Sequence, residues 1–277
     1  MKRRSAVTLT EVLVALFVMA LGMVAILTLF PMGALSMAQA IKDDRAGHIG
    51  GNAFAIASMC DLPNRTGIAA QFGALGAQPN GPSCPVYVDP IGSIIYSGQP
   101  LGGVIPRVNA GFTNQRQILE LFALQDDLNF GPNGVPRSPV HRTGSFSWAY
   151  MLRRPRFHDQ QVVDITVVVY SGRSLVLRGG LTPSDETSYS ATPGGPRSLN
   201  VPGLSGRQIP RGTWILDVTR DGGLQYGPVH AFFYRVVGQS ANGAVLDLQT
   251  PLRAPCNQIL VMDTVVEVFE KGPDWKP

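Results

Sequence analysis

Glu11 stands at the threshold of an uncharged run of 19 residues, Val12 to Phe30, that reads VLVALFVMALGMVAILTLF. A carboxylate at the centre of a bilayer costs about 2.5–3.5 kcal/mol, and less near the interface, so an acidic residue there marks function by default. Ion pairing is the chemistry it offers. In low dielectric an unpaired carboxylate is costly and a paired one much less so.

The remaining reactive side chains are scattered. His48, His141, His158 and His230 are far apart and form no H-E-x-x-H pair. Cys60, Cys84 and Cys256 make no C-x-x-C, so zinc and thioredoxin-type chemistry have no support. Outside the cytoplasm they allow one disulfide with a thiol left over; Cys60–Cys84 closes the shortest loop, and no disulfide at all is an equal alternative. Asp126-Asp127 and the pair Asp217 and Asp221 are the nearest approach to a calcium loop and match none closely. Asn64-Arg65-Thr66 fits a glycosylation sequon by pattern alone. With no G-x-S-x-G, phosphate loop or dinucleotide fingerprint, the chain is expected to be no enzyme and to need no cofactor and no metal.

Charge is concentrated at the start. Removing Lys2, Arg3 and Arg4 takes the 23 basic residues to 20, against 19 acidic ones. Arg153, Arg154 and Arg156 are the densest basic group left, and three arginines beside a strand read as a solvated edge. A nucleic-acid partner is therefore not expected.

The element that must carry Glu11 is a helix. From Val7 to Phe30 it would span roughly 36 Å, enough for a hydrocarbon core of about 30 Å. The run exceeds the apolar core of a secretory signal, about 7–15 residues, and ends in Phe30-Pro31-Met32-Gly33 with no small-x-small site. Three positive charges precede it, whereas Lys42, Asp43, Asp44 and Arg45 after it sum to zero. The positive-inside rule puts the N-terminus in the cytoplasm and the bulk of the chain outside.

The whole segment, MKRRSA followed by VTLTE and then the apolar run, resembles the prepilin leader of type IV pilins and type II secretion pseudopilins. The run Glu11-Val12-Leu13-Val14-Ala15-Leu16 is most similar to the minor pilus-modification pilins and minor pseudopilins. The likeness covers residues 1–35. It implies cleavage between Ala6 and Val7, N-methylation at Val7, and Glu11 as fifth residue of the mature chain. The commonest family pattern has glycine and phenylalanine where this chain has Ala6 and Val7. By the same likeness, Glu11 pairs with the amino terminus of a neighbouring subunit, which sets the register of helices in a filament.

The resemblance implies an α+β, pilin-like fold: a long N-terminal helix, half transmembrane and half amphipathic, packed on an antiparallel β-sheet head. The segments expected are a leader (1–6), a transmembrane helix (7–30), an amphipathic arm (31–60), a loop-rich variable region with a short helix (61–144) and the β-sheet head (145–277). On the arm, Leu35, Ala38, Ile41, Ile49, Ala53 and Ile56 form one stripe. Pro31 and Gly50-Gly51 permit either one helix or two. In the variable region, strands are expected at 86–88 and 94–96, and a helix from Thr113 to about Leu128 buries Ile118, Leu121, Phe122 and Leu128. In the head, strands are expected at 146–152, 162–170, 214–218, 230–237, 244–248 and 259–269, with hairpin turns at Asp221-Gly222-Gly223 and Ala241-Asn242-Gly243. Residues 179–212, which include LTPSDETSYSATPGGPRS, read as a long flexible excursion.

Functionally, the expectation is a minor pilin or pseudopilin, a structural subunit of a type IV pilus or type II secretion filament. Its partners would be prepilin peptidase, other pilins or pseudopilins, the inner-membrane assembly platform and membrane lipid. Its place would be the inner membrane as a single-pass protein, or a cell-surface or periplasmic filament. The competing class is a membrane-anchored extracytoplasmic binding or enzymatic domain.

Overall fold

A computed structural model describes residues 9–65, 67–68, 71, 84–124, 129–130, 136–137, 146–155, 162–173, 186–221 and 228–271. The chain divides into two compact units, residues 1–45 and 46–277.

In the first unit the described residues belong to helix α1, Leu9–Met59, which contains Pro31 without interruption. Proline lacks the N–H that would bond the carbonyl of Leu27, but one missing bond in a long apolar helix does not break it. Of the two alternatives the sequence allowed, the continuous helix is the one formed. Leu13, Phe17, Leu21, Val24, Leu27 and Phe30 are all more than half exposed, as are most large apolar residues between them. From Val12 to Phe30 the helix is thus apolar on every side, which in a stable protein means lipid or other helices around it. It is long and apolar enough to cross a membrane.

The second unit is α+β. Its first sheet has five strands in the order β14-β6-β5-β1-β2: β1 Val86–Val88, β2 Arg107–Val108, β5 Phe146–Arg153, β6 Asp164–Ser171 and β14 Val265–Glu270. All its pairings are antiparallel except β1 with β2. Two short helices, α2 Pro90–Ile95 and α3 Gln115–Phe122, accompany it. A two-stranded ribbon pairs β3 Asn129–Phe130 with β4 Pro136–Arg137. The second sheet has seven antiparallel strands in the order β7-β13-β10-β11-β12-β9-β8. These are β7 Glu186–Ser190, β8 Thr192–Gly195, β9 Ser198–Asn200, β10 Trp214–Asp217, β11 Phe232–Gln239, β12 Val245–Leu248 and β13 Gln258–Met262. This sheet curls, because Tyr189 on edge strand β7 reaches Gly203 in the 3₁₀ turn after β9 and accepts a hydrogen bond from Arg207 Nη1 at 2.6 Å.

Alternation along the strands sorts the core into layers. Phe146, Trp148, Tyr150 and Leu152 of β5, with Ile165, Val167 and Val169 of β6, face Ala46, Ile49, Ala53 and Ala57 of α1. Ala149, Met151, Val168 and Tyr170 point the other way and meet Leu216, Phe233, Leu260 and Met262 of the second sheet. Inside the curl lie Leu199, Ile215, Tyr234, Val236, Leu246, Ile259 and Val261. The Tyr150 hydroxyl donates to the Ala53 carbonyl at 2.8 Å and accepts from Trp148 Nε1 at 3.1 Å, fastening α1 to the sheet.

Several expectations change. Only Ile49 and Ala53 of the predicted stripe are fully buried; Leu35, Ala38 and Ile41 lie in the first unit and are exposed. Residues 94–96, expected as a strand, finish α2 because Asp89 caps that helix through Gly92 N. Helix α3 is capped by Asn114, not Thr113, and stops at Phe122; Leu128 lies outside the described residues. Where a flexible excursion was expected, residues 186–204 form three strands and a 3₁₀ turn, pinned by Leu199, Val201 and Leu204 inside the curl. The strand expected over 259–269 is two: the turn at Asp263-Thr264 carries the chain from the second sheet into the first.

Candidate functional site

Glu11 lies in the first turn of α1 and is exposed. Ala6 and Val7 lie outside the described residues, as do Asp126, Asp127, His141, His158 and Arg156.

The second unit holds two polar constellations that the sequence did not assemble. One closes the edge between the sheets. Asp89, just past β1, takes Arg173 Nη1 at 2.9 Å and Nη2 at 2.6 Å, and accepts Gly92 N at 2.9 Å. Arg107 on β2 pairs with Glu186 on β7 and approaches Asp89 at 3.7 Å. Burial alone would raise the Asp89 carboxyl, but Arg173 and Arg107 outweigh it and hold it below the ordinary value. All four side chains are fully buried and their charges balance, and the cluster ties β1, β2, β7 and the residues after β6 to one another.

The other lies at the base of the β10–β11 hairpin. His230 Nδ1 is 2.8 Å from Asp217 Oδ2 and its Nε2 is 2.7 Å from Asp221 Oδ1. Asp217 is buried at the end of β10, and its Oδ1 accepts Thr219 N at 2.9 Å. The sequence read these aspartates as flanking a turn and His230 as an ordinary residue. Their meeting was legible only through the hairpin register, which sets Asp217 opposite Phe232. The two carboxylates sit at opposite ring nitrogens, so a single ion cannot take all three groups. Among the described residues no cluster of histidine, cysteine and acidic side chains could hold a metal.

A thiol lies nearby without forming a nucleophile. Cys256 is fully buried, with Sγ 3.8 Å from Thr219 Oγ1 and 3.7 Å from the Gln258 carbonyl. Burial, helped by Asp217, pushes its thiol up to about 12, so it stays protonated and inert at neutral pH. His230 is committed at both nitrogens and gives it no base. All three cysteines are free thiols, so the Cys60–Cys84 bridge is not formed. Arg153 is no loose basic edge: it pairs with Asp164 at 3.2 Å and lies 4.6 Å from the centre of the Phe232 ring.

Compared with family models, curated proteins and solved structures, the chain matches none.

Proposed function

We propose that the chain is a minor pilin or pseudopilin, a non-catalytic structural subunit of a type IV pilus or type II secretion filament. The observation that carries the reading is Glu11 in the first turn of a helix that is apolar on all sides, four residues after Val7 in the prepilin-like leader. Cut after Ala6, the chain starts with a positive amino group at the membrane edge. A carboxylate four residues on needs such a charge, and a neighbouring subunit supplies it when the helices stack. Prepilin peptidase and the inner-membrane assembly platform are the further partners of this reading. The chain then sits in the inner membrane with its N-terminus cytoplasmic and its head outside, until it joins a filament.

The test is the N-terminus of the mature protein recovered from membranes. A chain beginning at N-methylated Val7 agrees with the proposal. An intact Met1, or a cut beyond Phe30, would instead make it a membrane-anchored or secreted domain of another class.

A further inference from the structure

The ring of His230 faces a carboxylate oxygen at each nitrogen, 2.8 Å from Asp217 and 2.7 Å from Asp221. Carboxylates only accept, so a ring that donates to both must carry both protons. A neutral ring keeps one N–H, and its other nitrogen then points a lone pair at a carboxylate. The two acids are unequal: the Asp217 side chain is 0% exposed and the Asp221 side chain 56%. Buried Asp217 has no water to turn to; Asp221 does.

We propose that His230 is a proton-operated latch on the β10–β11 connection: doubly protonated, it ties Asp221 to Asp217, and loss of the Nε2 proton releases Asp221 while Nδ1 stays on Asp217. The surroundings fix everything except that proton. His230 N donates to the Thr219 carbonyl at 3.0 Å and Ala231 N to the Asp217 carbonyl at 2.9 Å, which hold the backbone on both sides of the ring. Ala231 has φ of 53°, a left-handed conformation that is unfavourable for a non-glycine residue and persists where the surroundings enforce it. Asp221 N donates to the Pro228 carbonyl at 2.9 Å, so the base of the connection stays in register while its side chain is free to leave.

The charged groups around the ring agree with this assignment. Besides Asp217 from β10 and Asp221 from the connection, Arg153 of β5 gives Nη1 to the His230 carbonyl at 3.3 Å, and Arg253 lies 5.1 Å from the Phe232 ring centre beside it. Arg220 adjoins Asp221, and the Cys256 thiol stays neutral against Asp217. The hydrogen bond to Asp217 is the largest influence and raises the ring above its ordinary value; burial opposes it and Asp221 adds to it. The folded value therefore exceeds the unfolded one of about 6.5. The latch contributes its full stability below about pH 6.5 and loses it as pH rises through the raised folded value.

The latch is a property of the head and stands apart from the filament reading. It is tested on the full chain in detergent, labelled with ¹⁵N at histidine, by following ring nitrogens from about pH 5 to about pH 9. His230→Gln assigns the signal. Expected are two protonated nitrogens at the acid end, then, through a midpoint above the ordinary histidine value, a neutral ring that keeps its proton on Nδ1. Asp221→Asn, at an exposed position that leaves the fold intact, should move the midpoint down. A His230 ring already neutral at about pH 6, a neutral form protonated at Nε2, or an unchanged midpoint in Asp221→Asn would each overturn the latch.

Discussion

Phe269 of β14 lies so close over Gly50 of α1 that a Cβ at position 50 would stand 2.7 Å from the ring. The helix meets the sheet there by having no side chain. The next residue, Gly51, has nothing within 4 Å of the same construction. Two adjacent glycines in one helix therefore predict opposite outcomes. Gly51→Ala should stabilise the protein by up to about 1 kcal/mol through helix propensity. Gly50→Ala gains the same propensity but must displace a ring already in contact near its root, and overpacking costs about 1–3 kcal/mol. Thermal unfolding of the two variants in detergent checks this, with the transition moving up for the first and down for the second.

Removing the Tyr150 hydroxyl should also loosen α1 from the sheet. Tyr150→Phe leaves the Ala53 carbonyl its helical bond but deprives Trp148 Nε1 of its acceptor. The expected loss is about 1–3 kcal/mol of unfolding free energy, read from a lowered denaturant midpoint, the cost of a buried polar group left unmatched.

Asp89→Ala should be among the most damaging changes in the head, at about 3–5 kcal/mol, since it leaves Arg173 buried without its carboxylate. Gly92→Ala tests the same cluster from its backbone side, because a Cβ there would collide with Arg173 Nη2 and Asp89 Oδ2. The acid limb of stability carries a matching signature. The Asp89 carboxyl is lowered in the folded state, so its contribution is present above the unfolded value of about 3.9 and disappears as pH falls through the folded one. Stability measured against pH should lose that acid slope in Asp89→Asn.

The cysteines should divide sharply by reactivity. Cys84 and Cys256 are buried and their thiols are raised, by burial first, whereas Cys60 is half-buried at the end of α1. Alkylation of the native protein followed by mass spectrometry should mark Cys60 alone, and all three only after unfolding.

Glu11→Ala should insert and fold as the parent does, because it removes an acid from the edge of the apolar run. Under the proposed function its entry into filaments should drop about tenfold or more, the equivalent of about 1.4 kcal/mol for each tenfold. Undiminished incorporation in cells lacking the native copy would count against the role given to Glu11.

What could be read from the residues was whatever depended on local pattern. The apolar run fixed a membrane-length helix, and the aromatic and aliphatic residues of Phe146 to Leu152 announced a strand, which the structure covers on both faces. Strands β10, β11 and β12 lie within about two residues of expectation because bulky and β-branched residues sit between recognisable turns. Legibility failed where long-range partners decide. Glu186 to Asn200 carries few apolar residues and looks like loop, yet β7 is paired along its length by β13, and Leu199 fills the curl. The buried arginine cluster was invisible for the same reason: Asp89 and Arg173 are 84 residues apart, and only the sheet order brings them together.

The corner at Asp263-Thr264 has a consequence for how the protein is made. It delivers β14, the last strand described, to the rim of the sheet that carries α1, beside β6 and over Gly50. A chain emerging in order from ribosome or translocon therefore holds its first head element unfinished until more than two hundred further residues have appeared. Contacts so distant in sequence form late, and they leave apolar surface open in the interval. The sheet under α1 stays short of its edge strand until β14 has been made, which makes Phe269 a late arrival to a core that already holds Ala46.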